Sequence, residues 1–233
     1  MLKKVTITGA DDKIKQQDLL SIALKYPFVE FGVLISTKTG RSRYPQISWI
    51  LDLDSIKEKT NFSLHLCGDI LSNFINGINL EDLIGKNVFS IFNRFQLNFS
   101  NKFNKINLNN FSYNIKNNPD KEFIFQTRSF SEPLIDEVKD LNNVKFLYDC
   151  SGGRGILPTE WIGSDVYCGY AGGLTPENLE FNLSKISDVC TADFWIDAET
   201  GLRTNDEFDL NKVVDFLQIA SKFIKKENIN ECK

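Results

Sequence analysis

The sequence predicts a single (β/α)8 barrel over residues 1–233. Three observations carry that reading. About eight short runs rich in Val, Ile, Leu and Phe alternate with helical patterns, and strict alternation of this kind implies a parallel sheet with helical crossovers. No Pro/Gly/Ser-rich linker divides the chain, so its 233 residues read as one domain. Glycine pairs follow the sixth and seventh runs, where barrels commonly build a phosphate site. The competing architecture, an open doubly wound sheet, wants its Gly-rich turn after the first strand, and there the chain has only Gly9.

Taken in order, the first strand is Val5 to Thr8, closed by Gly9. Asp11-Asp12 introduces a helix patterned through Leu19, Leu20, Ile22, Ala23 and Leu24. A second strand runs from Phe28 to Ile35, with Lys38, Arg41, Arg43 and Tyr44 in its loop, and a helix covers Ile47 to Lys57. The third strand, Phe62 to Cys67, ends at Gly68. Residues 69–92 read as mostly helical with a break near Asn76-Gly77, and the fourth strand is Phe95 to Phe99. The Asn- and Lys-rich stretch 101–120 reads as a loop and a short helix, not as a linker. Strand five is Glu122 to Thr127, and a helix from Ser131 to Leu141 carries Glu132 and Pro133 in its first turn. Strands six and seven lie within Val144 to Leu179, strand eight is Phe194 to Ala198, and the last helix spans Leu210 to Lys225.

Bulk properties narrow the classes. Hydrophobic content of 42% with 25% charged residues describes an ordinary soluble globular protein. The net charge of −4, with no sustained basic face, gives no reason to expect nucleic acid. No apolar run reaches membrane-span length, and the N-terminus reads as a strand and not as a signal peptide, so a cytoplasmic protein is expected. Cys67, Cys150, Cys168, Cys190 and Cys232 form no CxxC pair and lie far apart. They argue for reduced thiols, against a disulfide framework and against a zinc site. No metal or cofactor is expected, and the oligomeric state is left as monomer or homodimer.

Side chains alternate along a strand, so one parity enters the barrel. Leu64 and Leu66 must face the helices, which sends Ser63, His65 and Cys67 inward. The same rule turns Gln96, Asn98, Gln126, Arg128 and Asp149 inward, puts Thr6 and Thr8 on one face of strand one, and puts Asp197 and Glu199 on one face of strand eight. Such an interior is unusually polar, since a buried polar group without a partner costs about 1–3 kcal/mol. It points to a ligand site at the C-terminal face. Each residue also has a plainer role: His65 as a satisfied second-layer residue, Cys67 and Cys168 as small apolar filler. Asp149 and Asp197 are harder to explain that way, because buried carboxylates need partners. Gly172-Gly173, followed by the helix start Thr175-Pro176-Glu177, offers backbone N–H groups at the positive end of a helix dipole, a natural seat for phosphate. A single such turn could be explained as a tight βα connection. Two in succession favour a seat.

Three motifs carry a family resemblance. Asp149 followed by Gly152-Gly153-Arg154-Gly155 and Trp161, then Gly172-Gly173-Leu-Thr-Pro-Glu-Asn178, then Ile196-Asp197-Ala-Glu199-Thr-Gly201-Leu, resemble in order the post-strand segments of phosphoribosylanthranilate isomerase. That family is a (β/α)8 enzyme of tryptophan biosynthesis. The loop Lys38-Thr-Gly-Arg41-Ser-Arg43-Tyr44 is similar to the family's Lys-Ser-x-Arg-Tyr, so either Arg41 or Arg43 takes the substrate-carboxylate role.

The resemblance implies an Amadori rearrangement of an N-ribosyl amine 5-phosphate, with Asp149 as the general acid. It also implies phosphate bound through Gly152, Gly153, Gly172, Gly173 and Gly201. Asp197, Glu199 and the inward Arg128 are expected substrate contacts, Arg128 lying outside the family pattern. The resemblance fails at the base: the family's Lys-Ile-Cys-Gly after strand one is Thr6-Ile7-Thr8-Gly9 here, and its Gln-Leu-His-Gly is Gln96-Leu97-Asn98-Phe99. A threonine hydroxyl accepts no proton at neutral pH without a neighbouring base. Cys67, His65, Glu199 and Asp11 stand as substitutes. Three functions follow: an isomerase acting on a phosphorylated sugar or sugar amine, a paralogue with epimerase or aldol-type chemistry, or a catalytically silent phospho-ligand-binding barrel.

Overall fold

The computed structural model describes residues 1–37, 42–99, 108–128 and 138–224. Eight parallel strands close in sequential order into a barrel. They are β1 (Leu2–Thr8), β2 (Val29–Ile35), β3 (Asn61–Leu66), β4 (Arg94–Leu97), β5 (Glu122–Thr127), β6 (Val144–Tyr148), β7 (Cys168–Ala171) and β8 (Phe194–Ala198). Closure is made by β1 against β8, with Thr6 opposite Asp197. The alternation of runs and helices therefore led to the right class.

Among the described residues the helices are α1 (Gln16–Lys25), α2 (Ile47–Asp52), α3 (Gly68–Ile75), α4 (Leu80–Ile84), α5 (Lys86–Ile91), α6 (Leu108–Lys116), α7 (Pro176–Val189) and α8 (Leu210–Ala220). Where one helix was expected from Ile47 to Lys57, α2 gives way to a 3-10 helix at Leu53–Lys59. The break at Asn76-Gly77 is real, and the chain restarts at α4, whose first turn is capped by the Asn79 side chain accepting from the Glu81 N–H at 2.8 Å. A small hairpin, β9 (Arg203–Thr204) with β10 (Glu207–Phe208), follows β8. Most of the helix expected from Ser131 to Leu141 lies outside the described residues, as do Arg41 and Cys232.

Between barrel and helices the core is aromatic. Phe123 stacks on Phe74 and Phe95, and Phe111 meets Phe125 edge-on. Phe95, Phe123 and Phe125 take the outward parity of β4 and β5, as the alternation required.

Inside, the barrel holds an ion-pair network beside a small apolar cluster of Ile124, Leu147, Ala171 and Trp195. Glu30 accepts from Arg94 Nη1 at 2.6 Å, Thr6 Oγ1 at 3.0 Å and Lys4 Nζ at 3.1 Å. Arg94 Nε also donates to Glu122 at 2.6 Å, and its guanidinium lies 5.1 Å from the Trp195 ring. Two interior glycines make room for the large side chains. A Cβ on Gly32 would come within 2.5 Å of Thr8 Oγ1 and 2.7 Å of His65 Nε2, and one on Gly169 would collide with the Trp195 indole.

Burial alone would raise the Glu30 carboxyl, but Arg94 and Lys4 outweigh it and hold it at about 2. A carboxyl depressed on folding stabilises the native state above its unfolded value and loses that contribution as pH falls towards the folded value. Arg94→Leu strands the Glu30 charge and should cost about 3–5 kcal/mol at pH 7. Urea titration should show the gap from wild type narrowing as pH is lowered through the carboxylate range and Glu30 becomes protonated.

Candidate active site

A cavity of about 470 Å³ opens at the C-terminal ends of the strands. Its walls hold Thr8, His65, Cys67, Asp149, Asp197 and Glu199, together with Gly172, Gly173 and Gly201. Residues from five different strands or strand ends thus converge, because inward parity and the common C-terminal edge place them at one level.

Asp149, immediately after β6, is buried, and its carboxylate is gripped by its own loop. Oδ1 accepts from the Ser151 N–H at 3.0 Å and the Ser151 hydroxyl at 2.7 Å, while Oδ2 accepts from the Gly153 N–H and from Gln126 Nε2, each at 2.6 Å. The Gly152 N–H bonds to the Asp149 carbonyl at 3.0 Å. This corrects the sequence reading of Gly152 and Gly153 as phosphate donors. Their N–H groups are engaged by Asp149, so that turn organises the carboxylate.

The second glycine pair differs. None of the N–H groups of Gly172, Gly173 and Gly201 is engaged in a turn or loop hydrogen bond among the described residues. Gly173 needs its φ of +64°, and a Cβ there would approach the Leu157 nitrogen to 2.6 Å. A Cβ on Gly201 would collide with the Leu174 carbonyl, so this glycine lets the loops after β7 and β8 close on each other. Asn178 in the first turn of α7 fixes the seat, accepting from the Thr175 N–H at 3.0 Å and donating to the Gly173 carbonyl at 2.9 Å. A Cβ on Gly172 would lie 3.3 Å from Asp149 Oδ1, which sets carboxylate and seat side by side.

Asp197 stands at the end of β8, buried, where its Oδ1 accepts from the Thr8 hydroxyl at 2.6 Å and its Oδ2 from Gln96 Nε2 at 3.3 Å. Burial pushes its carboxyl up to about 7. The nearby charges of Glu199 and Asp149 act in the same direction, and the Thr8 and Gln96 hydrogen bonds only partly oppose them.

The other candidates are held differently. His65, fully enclosed, sits 3.1 Å from the Ser63 hydroxyl through Nε2, and burial drives its imidazole down to about 3, so it is neutral at pH 7. Burial pushes the Cys67 thiol up to about 11, beyond what the Asn98 hydrogen bond at 3.5 Å can offset. Arg43 donates to Glu199 at 2.7 Å and to Asp206 at 2.8 Å, so these two expected substrate contacts are paired with each other at the rim.

Two further assignments need correction. Asp11 is not in the cavity wall but forms a buried ion pair with Arg203 at 3.0 Å. Arg128 is exposed, its guanidinium lying against Gly152 and outside the residues that line the cavity. Beyond β5 the chain no longer follows strand alternation.

Sequence reasoning passed over Arg203. It donates to the Gly9 carbonyl at 2.7 Å, to Asp11, and to the Asp206 carbonyl at 2.7 Å, bolting the loop after β1 to the hairpin after β8. Nothing in its local sequence marks an inward side chain. Trp161, one of the motif residues, is structural, its indole N–H bonded to Asn182 Oδ1 at 3.0 Å. Among the described residues no group of three or more His, Cys, Asp or Glu side chains could hold a metal ion, and no helix is long and apolar enough to cross a membrane.

The geometry defines a (β/α)8 barrel with a polar cavity and two embedded carboxylates at the C-terminal strand ends. No family model matches this sequence, and no curated protein does. Among solved structures, the fold is similar to phosphoribosylanthranilate isomerase from Thermotoga maritima, with a TM-score of 0.61 and 14% identity over 95% of this chain and 100% of that one. N-(5'-phosphoribosyl)anthranilate isomerase from Pyrococcus furiosus gives a TM-score of 0.55 and 16% identity over 94% and 98% of the two chains. Thiamine phosphate pyrophosphorylase from the same organism gives 0.55 and 11% over 96% and 98%. The chain is thus a phosphoribosylanthranilate-isomerase-like barrel in fold, at sequence identities that carry the fold alone.

A carboxyl whose value rises on folding costs stability as pH climbs from its unfolded value through its folded one. Asp197→Asn should therefore raise the urea midpoint at pH 8 and leave it nearly unchanged at pH 3.5. A variant destabilised at pH 8 would show that the ionised carboxylate is net favourable where it sits.

Proposed function

We propose that this protein is an aldose–ketose isomerase of the Amadori type, acting on a phosphorylated sugar or sugar amine. The observation that carries the reading is the juxtaposition of Asp149 Oδ1 with the Gly172-Gly173 turn, close enough that a Cβ added at Gly172 would touch it. A phosphate held by the N–H groups of that turn anchors one end of a ligand. The cavity, at about 470 Å³, has the size of an ordinary small-molecule site. The similar barrels named for phosphoribosylanthranilate and thiamine phosphate support the choice of a phosphate ester.

In this reading Asp149 is the general acid. Each of its oxygens is held by two donors, Oδ2 by Gln126 and Gly153 and Oδ1 by Ser151, and Oδ1 is the oxygen beside the seat. Protonation of the ring oxygen breaks the bond to the anomeric carbon and opens the sugar.

Thr8, standing where the resembled family has its catalytic cysteine, favours a second reading: a barrel that binds phosphorylated ligands without turning them over. Complementation of an isomerase-deficient tryptophan auxotroph separates the two, since rescue requires turnover. A protein that fails to rescue yet is thermally stabilised by sugar phosphates fits the second.

Under the first reading, Asp149→Asn should lower turnover by about 10²–10⁴-fold while thermal stabilisation by inorganic phosphate survives. Unchanged turnover would remove Asp149 from the mechanism. Gly173→Val should do the reverse at the seat, abolishing the phosphate-induced shift.

A further inference from the structure

We propose that Asp197 is the proton acceptor of this site and that Thr8 is the residue that positions it. The inference rests on the isomerase reading and supplies the half of the acid–base pair that Thr8 itself cannot provide.

The geometry singles Asp197 out. The Thr8 hydroxyl, at the end of β1 where the base is expected, points its proton at Asp197 Oδ1 across 2.6 Å. Gln96, from β4 on the far side of the barrel, holds the other oxygen. Asp197 lies in register with Ala171, and the next residues of β7's loop are the glycine seat. Asp149 borders that seat at Gly172. The two carboxylates thus come from β8 and β6, with the β7 turn between them, so a ligand anchored on that turn meets one on either hand.

Elimination reaches the same residue. Cys67 keeps its thiol proton, and His65 is too weak a base. Glu199 is tied to Arg43, and Asp11 is tied to Arg203 outside the cavity. The groups facing Asp197 are Thr8 from β1, Gln96 from β4, Asp149 after β6 and Glu199 after β8. With burial, they leave its carboxyl near 7, poised to gain and lose a proton under neutral conditions.

The steps balance. After Asp149 has opened the ring, the anomeric carbon C1 is an iminium. Asp197 takes the proton from C2, the C2–H electron pair becomes the C1=C2 bond, and the C1=N⁺ pair returns to nitrogen. Asp197 then returns its proton to C1. The C2 hydroxyl proton leaves to restore Asp149, and C2 becomes a ketone. C1 is reduced as C2 is oxidised, and no external oxidant is involved.

The test uses the full chain, N-(5'-phosphoribosyl)anthranilate as substrate and inorganic phosphate as binding probe. Asp197→Asn should lower kcat by about 10²–10⁴-fold, leaving KM and the phosphate-induced thermal shift unchanged. Thr8→Val should move the rising limb of the kcat/KM–pH profile upward, because it removes a hydrogen bond that favours the ionised carboxylate, and Thr8→Ser should restore the limb. Carboxyl ¹³C NMR of aspartate-labelled protein should show one signal titrating near neutrality that vanishes in Asp197→Asn. Turnover of Asp197→Asn within about threefold of wild type would overturn the proposal, as would the absence of any carboxyl titrating above about pH 5. A wild-type protein that turns nothing over defeats the isomerase reading instead. The NMR titration then judges Asp197 independently, a neutral-range signal supporting a poised acceptor and its absence overturning it.

Discussion

Glu30 and Arg94 meet inside the barrel at 2.6 Å, and everything above them is stacked on that contact. An eight-stranded barrel has an interior that its side chains must fill. Here the lower layers are filled by a charged pair, with Lys4 and Glu122 as further partners and Trp195 under the guanidinium. Buried charges tolerate this only when paired and hydrogen-bonded, so the layer has little freedom to rearrange. Gly32 and Gly169 are its consequence: with so many large polar and aromatic groups inside, two strands must present no side chain. The His65 ring then occupies the space Gly32 leaves and lies beneath the cavity as a neutral group.

On that rigid floor the rim is arranged by charge pairing. Arg43 is held by Glu199 and Asp206, and Arg203 by Asp11 with backbone carbonyls of two loops. These contacts link the loops after β1, β2 and β8. Among the described residues, two carboxylates of the cavity, Asp149 and Asp197, form no ion pair of this kind, and they differ in environment. Both are buried, but Asp149 is surrounded by donors from its own turn and from Gln126, whereas Asp197 has one strong donor and one longer one.

Much of this was legible before the structure. Strand parity was readable wherever one face was plainly apolar: in β3, Leu64 and Leu66 fixed the inward direction of Ser63, His65 and Cys67. In β2 every residue is buried, and the run Val-Glu-Phe-Gly-Val-Leu-Ile shows no alternation, so Glu30 passed unnoticed. Arg94 was hidden because strand four begins one residue earlier than its apolar pattern. The motif glycines were visible but their tasks were not. Gly152-Gly153 and Gly172-Gly173 look alike in sequence, and only the positions of the Asp149 oxygens separate a turn that grips a carboxylate from one with N–H groups to offer.

The chain by itself determined the barrel, the inward row of polar residues and the glycine turns, because these depend on local periodicity and on backbone conformations that few residues tolerate. The tertiary structure decided which polar groups are partners. Thr8 and Asp197 are 189 residues apart, and only barrel closure brings the first strand against the last. Burial then sets their chemistry, lifting a carboxyl and silencing a histidine and a cysteine that composition alone would rank as better bases. Protonation depends on the dielectric surroundings and on neighbouring charges, which a linear sequence does not contain.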